Sequence, residues 1–165
     1  MKTESIEHMK IHRYQTTVNW SGNTGRGTSS YGAYERSFTA SASGKPPIAG
    51  SADPAFRGDA TCWNPEDLLL TAISACHQLW YLHLCAVNGI VVVAYTDHAE
   101  AQMDEGSPEQ AGRFVSATLR PQVLIAAGCD LLLARALHQQ AHHAFFVANS
   151  LNFHVDCVAE IAVRP

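Results

Sequence analysis

"WNPEDLLLTAISACHQLWYLHLCAVNGI", residues Trp63 to Ile90, carries no charged side chain between Asp67 and its end. Asn64 is a good N-cap, Pro65 is preorganised for the first helical position, and Glu66 and Asp67 favour the positive end of the helix dipole. Asn88-Gly89 reads as a left-handed stop. The stretch therefore predicts one long helix, apolar on every side and so enclosed on every side. A bilayer span would need about 20 apolar residues and basic anchors at its ends. This run contains His77, Gln78, His83, Asn88 and Gly89 and has no such anchors, so no membrane is expected.

Working outward, residues 14–20, "YQTTVNW", alternate like a strand, and 33–42 read as its hairpin partner. Residues 43–62 hold three prolines and three glycines without a period and read as a structureless loop walling a site. Residues 90–104 and 113–126 read as strands joined through "EGSPEQAG". Asp130 caps a second helix, 131–150, with Leu133, Leu137, Ala141, Ala144, Phe145 and Ala148 on one face, and "HVDCVAEIAVR" ends the chain as a strand. The pattern is α+β, ββ-loop-α-ββ-α-β, within a single domain over 1–165.

The chain has 165 residues, 47% hydrophobic and only 16% charged, with a formal charge of −4. Little charge for a small monomer points to a surface covered by a second copy. Without a basic cluster, nucleic acid is not an expected partner. "MKTESIEHMKIHRYQ" has no apolar core of a secretory signal. Five cysteines at irregular spacing, without CxxC, argue against a disulfide framework and for a reducing cytoplasm.

Among motifs, "GNTGRG" lacks a following helix and reads as a turn, not a phosphate cradle. His138 and His142 share a helix face at i, i+4, but the glutamate of HExxH and a third ligand are missing, so neither a metal nor a cofactor is expected. No GxSxG occurs. Cys76 lies about 16 Å along the helix from Pro65, too deep for the dipole to activate its sulfur. Apolar surroundings alone would make it an inert packing residue. A reactive Cys76 needs a cation from elsewhere; Arg26, Arg36 and Arg57 precede the helix.

"NPEDLLLTAISACHQLWYLHLCAVNGI" resembles the central helix of the OsmC/Ohr family, the osmotically inducible and organic-hydroperoxide-resistance proteins: NPE, then a cysteine ten residues after the glutamate, then a closing glycine. "ALHQQAHHAFFVANSLNF" resembles the family's second helix. The resemblance implies an intertwined homodimer with central helices wrapped by sheets, and thiol-dependent reduction of organic hydroperoxides. It makes Cys76 the attacking thiol and Glu66 the partner of an activating arginine, with Arg36 and Arg57 favoured over Arg26. The family's resolving cysteine falls where this chain has Phe145.

Ten residues set Glu66 and Cys76 about 15 Å apart on different helix faces. If both serve one site, Glu66 comes from a partner subunit or acts through an arginine. Cys85, about 13 Å along the same helix, is too far to bridge Cys76. The expected activity is a peroxidase with a one-cysteine cycle completed by an external thiol, with Trp80, Phe145 and Phe146 lining an apolar pocket. The alternative is a silent relative binding a small hydrophobic ligand.

Overall fold

The computed structural model describes residues 11–165; the first ten residues of the stretch read as lacking a secretory signal lie outside it. The chain forms two compact units, one ending at Pro65 and one running from Glu66 to Pro165.

In the first unit, β1 (Thr17–Trp20), β2 (Phe38–Ser41) and β3 (Ile48–Gly50) form an antiparallel sheet in that order. β3 lies inside the segment expected to be structureless. After Gly44 turns the chain with φ 72°, Ile48 and Ala49 pair with Ala40 and Thr39, which lets the Pro46-Pro47 segment return as a strand. Gly50 lies against the Phe38 ring, which a Cβ at that position would meet at 2.2 Å and displace. A one-turn 3-10 helix, Pro54–Phe56, follows, its N–H of Ala55 bonded to the Asp53 carboxylate. "GNTGRG" is a turn held by Asn23 Oδ1, which accepts from Gly25 N and Gly27 N.

The second unit contains both helices. α1 spans Pro65–Val87 and closes as expected: Gly89 has φ 76°, Ile90 N donates to Cys85 O, and Asn88 Nδ2 donates to Leu84 O. α2 spans Leu131–Ala144, with Asp130 accepting from Leu132 N and Leu133 N. It stops six residues before the expected end. Phe145 turns to extended geometry (φ −79°, ψ 120°), which drives its ring into the core, and Ala148–Ser150 form a separate 3-10 turn.

Each expected strand after α1 is bent into two. β4 (Val92–Asp97) and β5 (Glu100–Ser107) share one arm, β6 (Gln110–Leu119) and β7 (Pro121–Ile125) the next, β8 (His154–Cys157) and β9 (Glu160–Val163) the last. One sheet has the order β4-β7-β9 and the other β5-β6-β8, with β8 and β9 parallel to their neighbours. Asp97 fastens the bend, accepting from Arg120 N at 2.7 Å and from Ser74 Oγ of α1 at 2.5 Å.

α1 buries a stripe at spacing four, Ile73, His77, Tyr81 and Cys85, because residues four apart share a helix face. Tyr81 and Cys85 pack with Val123, Ile125, Ala134, Leu137 and Ala141. Ile73 packs with Ala117, Leu119, Phe145 and Val155. Replacing Asp97 by Ala removes a carboxylate acceptor from two donors, so urea denaturation should show a loss of about 2 kcal/mol. Asp97→Asn, which keeps an acceptor for Arg120 N, should lose less.

Candidate functional site

Cys76 precedes the buried His77 and is therefore turned about 100° off the buried stripe. Its side chain is half-buried against the cluster of Ile73, Phe145 and Val155, as is Trp80. Glu66 opens the same helix, and its Oε2 is shut from solvent with no hydrogen-bond partner among the described residues. A carboxylate oxygen enclosed without a donor is costly, and a guanidinium is the group that best satisfies it.

The two favoured arginines differ. Arg36 is engaged within its own unit: its guanidinium donates to Tyr34 O and Tyr31 O at 2.6 and 2.7 Å and lies 4.3 and 4.2 Å from the two tyrosine rings. Arg57 has one aromatic neighbour, Tyr31 at 5.6 Å, and no carboxylate partner among the described residues. It sits in the left-handed region (φ 65°) at the end of the 3-10 turn, where the following Gly58 is forced because a Cβ would strike Ala52 O. Arg26, set aside earlier, is exposed in the glycine turn.

Of the three aromatic residues expected to line a pocket, Trp80 and Phe146 meet edge-on at 5.5 Å, and Phe146 is 71% exposed. Phe145 is fully enclosed and contacts His77 and His142 instead. The hollow at Leu79, Trp80 and His83 measures about 190 Å³, below the roughly 300 Å³ of a typical ligand pocket.

The structure also gathers side chains that the sequence reading left apart. His77 Nε2 lies 3.1 Å from His138 Nδ1 and 3.5 Å from Cys157 Sγ, and Tyr81 stacks on His138 at 3.7 Å. His138 stacks on His77 and Tyr81, while His142 lies against Phe145, so the i, i+4 spacing does not bring their rings into contact with each other. The available signal was His77 in register with Ile73, Tyr81 and Cys85; what it meets across the core has no local trace in the sequence.

The family model described as OsmC-like protein matches residues 58–160. The chain belongs to the OsmC-like family. Among solved structures, an OsmC-like protein of unknown function from Vibrio cholerae is 25% identical, with a TM-score of 0.82 over 91% of this chain and 100% of that one. An organic hydroperoxide resistance protein OsmC from Legionella pneumophila is 17% identical, with a TM-score of 0.66 over 94% and 100%. An organic hydroperoxide resistance protein of Bacillus subtilis is 15% identical, with a TM-score of 0.61 over 92% and 98%. The last two share the fold. No curated protein matches.

In this OsmC-like chain burial sets the protonation of the inner cluster. It lowers His77 to about 4, with His142 lowering it further and Asp97 opposing. It lowers His138 to about 3, with His77 adding to the effect. It pushes the Cys157 thiol up to about 12, with Asp97 adding, and it also raises Cys85. Both imidazoles are therefore neutral when folded and titrate near 6.5 when unfolded. The unfolded chain binds more protons below that value, so the histidines' contribution is complete above about pH 6.5 and is lost as pH falls toward 4. Urea denaturation at pH 7 and pH 4.5 should show a loss on the order of 2 kcal/mol per histidine. His77→Phe with His138→Phe should flatten that part of the slope.

Proposed function

We propose that this OsmC-like protein is a thiol-dependent peroxidase of organic hydroperoxides acting through Cys76. The observation that carries the reading is a half-buried cysteine ten residues after Glu66, one of whose carboxylate oxygens is enclosed without a hydrogen-bond partner among the described residues, on the first helix of an OsmC-like chain. Cys85 and Cys157 are held protonated by burial and are poor nucleophiles near neutral pH. Relatives in fold are named for organic hydroperoxide resistance, which is consistent with this chemistry.

In the proposed cycle the Cys76 thiolate attacks the distal peroxide oxygen and the O–O bond breaks. The alkoxide takes a proton and leaves as an alcohol, and Cys76 becomes a sulfenic acid. With Phe145 enclosed where a resolving cysteine would stand, an external thiol condenses with the sulfenate, releasing water. A second thiol then frees Cys76, leaving the external pair as a disulfide. The reaction needs a guanidinium at the sulfur. Arg57, which has no hydrogen-bond acceptor among the described residues, is the stronger choice over Arg36, which two carbonyls and two rings already hold.

The working species is taken to be a homodimer in a reducing cytoplasm. α1 is long and apolar enough to cross a membrane by length and composition alone, yet only 22% of its most apolar window is buried, and Leu79 is 66% exposed. A second copy covering that face accounts for both the apolar surface and the low charge.

With cumene hydroperoxide and a dithiol reductant, Cys76→Ser should abolish peroxide consumption, and mass spectrometry of the wild type should find sulfenate at Cys76 before the other cysteines. Oxidation elsewhere first would refute the assignment. Arg57→Gln should lower kcat/KM by roughly 100-fold or more, the scale of a lost charge-stabilising donor, and Arg36→Gln less. Light scattering should report a dimer; a fully active monomer would exclude a shared site.

A further inference from the structure

His77, His138 and Cys157 converge from α1, α2 and β8, and their donor atoms all lie within 4.8 Å of one another. His77 is fully enclosed and His138 is 5% exposed. The contact is over-subscribed. An imidazole nitrogen offers either one lone pair or one proton, yet His77 Nε2 faces both His138 Nδ1 at 3.1 Å and Cys157 Sγ at 3.5 Å. Whichever protonation state it takes, it serves one neighbour well and leaves the other poorly matched. A cation between the three accepts all three lone pairs at once.

Two of the three edges, 3.1 and 3.5 Å, suit such an ion, and the third, between His138 and Cys157, lies within 4.8 Å and has to close by up to about 1 Å on binding. Bonds of about 2.0–2.1 Å to nitrogen and about 2.3 Å to sulfur at tetrahedral angles set N···N edges near 3.3 Å and N···S edges near 3.6 Å. Two imidazoles and a thiolate make a borderline-soft donor set that favours zinc over magnesium or calcium. An entry path exists as well. His138 and Cys157 line an open hollow of about 460 Å³ with His142, His154 and Asp156, through which an ion can reach both side chains.

We propose that His77, His138 and Cys157 form a binding site for a zinc-class divalent cation, held by Nε2, Nδ1 and Sγ. The imidazoles ligate as they stand. The Cys157 S–H bond breaks, its proton leaves to solvent, the S–metal bond forms, and no electron is transferred. By joining three elements the ion fixes α1 against α2 and β8, independently of the peroxidase chemistry at Cys76.

Cobalt(II) titration of the reduced, metal-stripped full chain tests this by absorbance. One equivalent should produce a thiolate-to-cobalt charge-transfer band with tetrahedral d–d bands, and zinc should bleach both. Cys157→Ala, a small change at a half-buried position, should remove the charge-transfer band while circular dichroism stays native. His138→Gln should weaken binding by more than the roughly 10–100-fold that outer-shell changes cost. Cys76→Ser and His154→Ala should leave the spectrum intact. Absence of the band in the wild type, its survival in Cys157→Ala or its loss in Cys76→Ser would each overturn the proposal. None of these readouts depends on peroxide turnover.

Discussion

The second unit is organised around the one stripe that α1 buries in this chain; the helix is not enclosed on every side, although its uncharged sequence suggests it would be. Its stripe of Ile73, His77, Tyr81 and Cys85 divides the apolar core. Toward the C-terminal end it packs on α2 and the β4-β7-β9 sheet, and toward the N-terminal end on Phe145 and the β5-β6-β8 sheet. Three arms of strand bend at one level to serve both ends, and Asp97 joins that bend to the helix through Ser74 and Arg120. A burial requirement on one segment thus sets the topology of the strands around it.

Between the two apolar clusters the core is polar. His77 stands between Ile73 and Tyr81 on the stripe, and His138 and Cys157 answer it from neighbouring elements. Enclosing three titratable groups costs stability unless they satisfy one another. Burial keeps the imidazoles neutral and the thiol protonated, which quietens the cluster electrostatically. Cys76, one residue earlier, is turned away from this cluster and half-buried. Adjacent residues of one helix can thereby take on different chemistry, since each step of about 100° changes the surroundings completely.

Local signals were legible wherever the backbone itself demanded a residue. The Asn88-Gly89 stop and the Asp130 cap were readable because helix ends must satisfy their own N–H and C=O groups within a turn. The NPE and Cys76 spacing carried the family, which the match over residues 58–160 bears out. The failures have a common cause. β3 was hidden because three prolines and three glycines obscure a three-residue strand whose pairing is supplied by β2. The early end of α2 was hidden because "AFFVANS" has no local breaker; the core's demand for Phe145 unwinds it. The strand bends were hidden because switching sheets is a choice of neighbours, not of propensity.

The amino-acid order alone determined that a long apolar helix would form, where it would start and stop, and that it would carry a cysteine ten residues beyond a glutamate. Those properties depend on hydrogen bonds and periodicity within a few turns of backbone. Only the tertiary structure decided that His77 would meet His138, 61 residues away, and Cys157, 80 residues away. It also decided that Phe145 would fill the core and that Arg36 would be held by two carbonyls and two tyrosine rings while Arg57 would lie only over Tyr31. Such encounters follow from packing between distant segments, which side-chain volume and burial select and which no local pattern encodes.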